Sequence, residues 1–137
     1  MYRARAQKLG VGSKFTFTGF VSPDMIPSFV ALSDVLVSPR LQGSNSPLKI
    51  YSYLRSGKPI VATRHITHTQ ILSDSTSVLA EPNPEAFAEA LLAILDDEEA
   101  QQRLGAAAQQ LAEQHYSYDD YLQKIKWIVE QVMRTKG

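Results

Sequence analysis

The chain contains no cysteine, which excludes disulfides and thiolate-based zinc sites. Charge of neither sign predominates: 14 Lys and Arg stand against 14 Asp and Glu, for a formal net charge of zero. Without a basic excess or a basic stripe, no nucleic-acid partner is expected. No apolar run approaches the ~18 residues that a membrane-spanning helix needs. The basic start Met1-Tyr2-Arg3-Ala4-Arg5 is followed by no long apolar stretch, so it does not read as a signal peptide. Internal repeats and low-complexity tracts are also lacking. These absences fit a cytoplasmic protein.

What is present suffices for a core. The 137 residues are 44% hydrophobic, enough for a single domain without a metal or disulfide staple. A helix is predicted from Tyr2 to Leu9, stopped by Gly10. Lys14-Phe15-Thr16-Phe17-Thr18 alternates in the manner of a strand and closes at Gly19. Ser22-Pro23-Asp24 opens a helix whose regular part begins near Pro27, with Met25, Phe29 and Leu32 on one face. Asp34 to Ser38 and Pro59 to Thr63 are short apolar runs bounded by Pro and Gly, read as buried parallel strands. Between them, Ser46-Pro47 signals a helix running to Ser56 and stopped by Gly57. Thr67 to Leu72 reads as a short helix and Ser77 to Ala80 as a fourth strand.

The remainder is helical. Apolar stripes run through Phe87 to Leu95, through Ala100 to Leu111, and through Tyr118, Tyr121, Leu122, Ile125, Ile128, Val129 and Val132, where the spacing favours core packing. Strands alternating with helices predict an α/β fold with a parallel sheet and helices on both faces, the sheet part spanning 14–80 and a helical tail 84–135. Ligands of such sheets bind beyond the carboxyl ends of the strands.

The segment with most chemistry is Ser38-Pro39-Arg40-Leu41-Gln42-Gly43-Ser44-Asn45-Ser46-Pro47-Leu48-Lys49. It joins a strand to a helix N-terminus, where free N–H groups and the helix dipole favour anions. Gly43 lets the backbone approach a ligand, and Ser44, Asn45 and Ser46 offer short polar side chains. Arg40 and Lys49 add positive charge at either end. The combination makes a diphosphate cradle. The same residues also describe an ordinary capped loop. His65 and His68 stand at i, i+3 without Cys or a nearby carboxylate, a poor metal set. His65 is expected on a strand-to-helix loop facing the same cleft as Gly43.

In this order the segments resemble a family. Gly19-Phe20-Val21, Asp34-Val35-Leu36-Val37-Ser38-Pro39-Arg40, and Pro47-Leu48-Lys49-Ile50-Tyr51-Ser52-Tyr53-Leu54-Arg55-Ser56-Gly57-Lys58-Pro59-Ile60-Val61-Ala62-Thr63 are similar to the donor-binding domain of retaining GT-B glycosyltransferases, the glycosyl transferases group 1 family. Glu81-Pro82-Asn83-Pro84-Glu85, Leu95-Asp96-Asp97, Arg103-Leu104-Gly105 and Tyr116-Ser117-Tyr118 continue the likeness. It covers about residues 10 to 130 and implies a Rossmann-like half of such a domain, with a last helix that reaches back toward the missing domain and leaves some apolar residues near the end exposed.

The resemblance implies a UDP- or GDP-sugar as ligand and no cofactor or metal. Phe20 and Val21 would face the base. Gly43, Ser44, Asn45 and Ser46 would hold the diphosphate, with Arg40 and Lys49 supplying charge. The family's two glutamates, seven residues apart, fall at Ser44 and Ser52, the latter near the ribose. A serine offers one neutral hydroxyl where a carboxylate accepts two with charge assistance. Gln42 or Asn45 are stand-ins if the register shifts around Pro47. The family's earlier strands, with their Arg and Lys, and its acceptor-binding domain have no counterpart in this sequence. The expectation is therefore nucleotide-sugar affinity with little or no transferase activity from this chain alone, from a parent enzyme with an unknown acceptor. The rival readings are a non-catalytic α/β interaction module or degenerate transferase domain, and a flavodoxin-like phosphate binder. An incomplete sheet edge also allows homo-oligomers.

Overall fold

The computed structural model describes residues 1–135. Among these residues, three short strands form one parallel sheet in the order β1 (Leu36–Ser38), β2 (Ile60–Thr63), β3 (Val78–Ala80). The register sets Leu36 beside Ile60 and Ala62 beside Leu79. The helices are α1 (Tyr2–Lys8), α2 (Ile26–Leu32), α3 (Lys49–Ser56), α4 (Ile66–Thr69), α5 (Pro84–Leu95), α6 (Glu98–His115) and α7 (Tyr118–Thr135). This is the α/β fold expected, a parallel sheet flanked by helices and followed by a helical C-terminal part.

Side chains alternate across a strand, so neighbours on β2 enter different layers. Ile60 and Ala62, with Leu79 of β3, pack against Ile50 and Leu54 of α3 and Ala108 and Ala112 of α6. Val61, one position out of phase, packs with Ile94 of α5 and Leu104 of α6. Every residue of β2 is buried, as a central parallel strand requires. Helix α6 reaches both layers because its small residues let it lie close. A Cβ on Gly105 would stand 2.0 Å from the carbonyl oxygen of Gly57, so the two backbones touch only without it. Gly57 itself ends α3 in the left-handed region at φ 68°. Asn83 and Asp97 start α5 and α6 by accepting from Ala86 N–H at 2.8 Å and Ala100 N–H at 2.9 Å.

Several local expectations need correction. Residues 14–18 form no strand: Lys14 ends a 3-10 turn, and the extended chain from Phe15 has no ladder partner among the described residues. Alternation fixes which way side chains face but cannot supply the neighbouring strand. Phe15 and Phe17 instead stack on each other at 5.9 Å and stay exposed. Ser46 does not cap α3. The chain enters through tight i+3 bonds, Ile50 N–H to Pro47 at 3.0 Å and Tyr51 N–H to Leu48 at 3.2 Å, and the helix begins at Lys49. The short helix after β2 is displaced toward the strand, at Ile66–Thr69. The apolar stripe of α7 is not core: Tyr118, Tyr121, Ile125, Ile128, Val129 and Val132 are all exposed.

Candidate functional site

The carboxyl ends of β1 and β2 lie side by side, with Ser38 paired to Ala62. From Ser38 the chain leaves the sheet through Pro39 and turns back to α3. Arg40 governs that turn. Its side chain curls inward, donating from Nε to the Gln42 carbonyl at 2.8 Å and from Nη1 to the Asn45 carbonyl at 3.1 Å. Gly43 sits directly against it at φ +97°, and a Cβ there would meet Nη2 at 2.6 Å. From α4's side, Gln70 Nε2 donates to the Ser44 carbonyl at 2.8 Å.

The consequence for the amides follows from peptide geometry. In a trans peptide the C=O and the following N–H point opposite ways. The Arg40 guanidinium holds the carbonyls of Gln42 and Asn45, so the N–H groups of Gly43 and Ser46, across the same peptides, point away from it, while Gln70 holds the Ser44 carbonyl separately. Among the described residues, no hydrogen bond uses the N–H of Gly43, Ser44, Asn45 or Ser46. Gly43, Ser44 and Asn45 are exposed. Successive amides make an anion-binding concavity where the turn curls them around one point.

Beneath the turn lies a polar network in the sheet. His68 is fully buried. Its Nε2 lies 2.9 Å from Ser38 Oγ, and its Nδ1 lies 2.9 Å from the Thr63 carbonyl and 3.1 Å from Thr63 Oγ1. The Thr63 hydroxyl donates to the Arg40 carbonyl at 2.5 Å. A single tautomer satisfies the set: Nδ1–H donates to Thr63 and Nε2 accepts from Ser38. Burial pushes the His68 pKa down; the Thr63 carbonyl opposes this, and the positive charges of Lys49, His65 and Arg40 add to the lowering. The ring is therefore neutral at pH 7. Sequence reasoning missed this network. Its one visible signal was a hydroxyl residue closing each of two apolar strands.

The other predicted residues are distributed around this turn. Lys49, the first residue of α3, lies against the sheet edge, with Nζ 3.3 Å from the Val37 carbonyl and 5.5 Å from the Tyr53 ring centroid. Partial desolvation of that ammonium pushes its pKa down. Ser52 lines a cavity of about 470 Å³ between α2 and α3, with Pro23, Ile26, Pro27 and Arg55. Phe20, 94% exposed, and half-buried Val21 lie just before Pro23, which lines that cavity, and are not themselves among its lining residues. The structure thus brings Arg40, Gly43, Ser44, Asn45 and Ser46 together in one turn, and Ser52 together with the segment that follows Phe20 and Val21. His65 caps α4, its Nδ1 accepting from Thr67 N–H at 3.4 Å. Arg64 is engaged elsewhere, with Asp74 at 2.7 Å and Glu81 at 3.5 Å, and it holds the Asp74 carboxyl below the usual range. Among the described residues, no three His, Asp or Glu side chains gather as a metal site. A separate apolar cavity of about 360 Å³, lined by Pro39, Leu41, Thr63, Pro84, Phe87 and Leu91, opens against α5.

A parallel sheet with a glycine-bearing polar turn at its carboxyl end, feeding a helix, defines the class: an α/β protein whose ligand side is the strand-to-helix loops. The chain belongs to the family described as Glycosyl transferases group 1, which matches residues 1–111. It is 29% identical over 111 residues to alpha-D-kanosaminyltransferase of Streptomyces kanamyceticus, covering 79% of this chain and 28% of that protein. Two solved structures share the fold. Anabaena HepE in complex with UDP superposes with TM-score 0.87 at 19% identity, over 95% of this chain and 36% of HepE. Sucrose-phosphate synthase from Thermosynechococcus elongatus gives TM-score 0.85 at 18% identity, over 98% of this chain and 34% of the synthase. The chain therefore spans about a third of the length of these relatives. No helix among the described residues is long and apolar enough to cross a membrane.

Proposed function

We propose that this chain is the part of a glycosyltransferase that binds a nucleotide-diphosphate sugar, UDP- or GDP-linked, for transfer to an acceptor with retention of configuration. One observation carries the reading: among the described residues, no hydrogen bond uses the N–H groups of Gly43, Ser44, Asn45 or Ser46, in a turn at the carboxyl end of a parallel sheet. A pyrophosphate offers the oxygens such a row of donors lacks, and the N-terminus of α3 adds the positive end of its dipole. In this reading Arg40 contributes charge behind the amides and Lys49 contributes it at the start of α3. Phe20 and Val21 flank the base, and Ser52 serves the ribose through the cleft between α2 and α3. That HepE is described with UDP and with UDP-glucose supports the ligand class.

Calorimetric titration of UDP, GDP and their hexose conjugates tests it. Saturable binding is expected, with the loop amides moving in parallel NMR titrations. Gly43→Val forces a side chain into the space of the Arg40 guanidinium at a positive φ. It is expected to raise Kd by at least about tenfold while the fold persists. A folded wild-type chain that binds none of these nucleotides rejects the reading. It leaves the non-catalytic module, which the serines at the two glutamate positions favour.

A further inference from the structure

We infer that Arg40 is a positioning residue: its guanidinium serves the site by turning loop carbonyls inward so that the loop amides face the ligand, and it does not itself bind the phosphates. This rests on the anion-site reading and assigns Arg40 a different part in it.

Three features of the geometry carry the inference. The guanidinium spends two donors on carbonyls three residues apart, Gln42 at 2.8 Å and Asn45 at 3.1 Å. A planar fork can serve two acceptors in fixed directions, which a single ammonium on a flexible stem does not. The absence of a side chain at Gly43 is spent on the same group, since a Cβ there would stand 2.6 Å from Nη2. The guanidinium of this exposed residue therefore lies against the Gly43 backbone, bonded to two carbonyls of the turn. The third feature is the anchor. The Arg40 carbonyl accepts from Thr63 Oγ1, and Thr63 is held by the buried His68, so the side chain reaches its carbonyls from a fixed backbone. Charge also reaches a bound anion from this position, but a lysine would supply the same charge. The fork is what the arrangement uses.

The substitution Arg40→Lys separates the two roles, because it keeps the charge and loses the fork. For the positioning role, UDP affinity falls by about tenfold or more in Arg40→Lys. Uridine affinity stays unchanged, and the amide resonances of Gly43, Asn45 and Ser46 shift in the ligand-free protein. Gly43→Ala, which displaces the guanidinium without removing it, shifts the same resonances and weakens UDP likewise. UDP binding by Arg40→Lys within twofold of wild type overturns the inference. If wild type binds no nucleotide, the anion-site reading falls, and the ligand-free spectra still decide the role of Arg40. Unshifted loop amides in both variants, or no through-bond coupling between Arg40 Nε–H and the Gln42 carbonyl, refute it independently of any ligand.

Discussion

His68 is the residue whose chemistry departs furthest from its solution behaviour. Fully buried and bonded at both ring nitrogens, it has a pKa below its ordinary value, with burial as the largest cause. In the unfolded chain an imidazole titrates near ~6.5. Between that value and the lower folded one, the unfolded state binds more protons, so stability declines as pH falls through this window. Its contribution is complete above about pH 6.5. Melting temperature measured from pH 8 to pH 5 is expected to drop on the acid side for wild type. It is expected to drop less for His68→Gln, which starts lower because Ser38 and Thr63 lose partners. Asp74, lowered by Arg64, acts only at more acidic pH and does not enter this range. At this scale the sequence was least informative. The spacing of His65 and His68 suggests a pair with one role, yet one caps a helix and the other is buried in the sheet. Residue type carries no direction, and the partners of His68 lie 30 and 5 residues away.

Elements were read more easily than their connections. The runs at Leu36, Ile60 and Val78 are legible because each is short, apolar and bracketed by breakers, although only the central β2 is buried at every position and Val37 of the edge strand β1 is exposed. The stretch at 14–18 has the alternation of a strand and fails for a non-local reason, since among the described residues no strand lies beside it. The turn at 40–46 was legible as a polar, glycine-bearing connection from a strand to a helix. Its internal wiring through Arg40 and Gln70 was not. The seam between α3 and α6 offers a direct test of element packing. Gly105→Ala places a methyl 2.0 Å from the Gly57 carbonyl, where backbone has to move. Overpacking of this kind costs about 1–3 kcal/mol, a fall in melting temperature of roughly 5–15 °C. The exposed neighbour Ala106→Ser serves as the control and should melt close to wild type.

Over the whole molecule, α7 stands apart from the two layers. It contributes no residue to either core cluster, and its apolar stripe, from Tyr118 to Met133, is exposed. The stripe was visible in the sequence, but periodicity tells only that a helix has an apolar face, not what covers it. A chain ending at Ser117 is therefore expected to melt within about 3 °C of the full one, and the amides of α7 to exchange faster than those of α3 and α6. A larger loss of stability would mean that α7 packs on the sheet domain in solution.

The edge of β1 has its own consequence. Leu36 directs its N–H toward Pro59, so the next residue, Val37, turns its peptide groups to the opposite, unpaired side. Its carbonyl is occupied there by the ammonium of Lys49 and, at 3.5 Å, by the hydroxyl of Tyr53. Any polypeptide that zips onto this side must claim that oxygen. Lys49 is then set loose at the first turn of α3. Lengthening the sheet and freeing the ammonium of Lys49 are in this protein one and the same event.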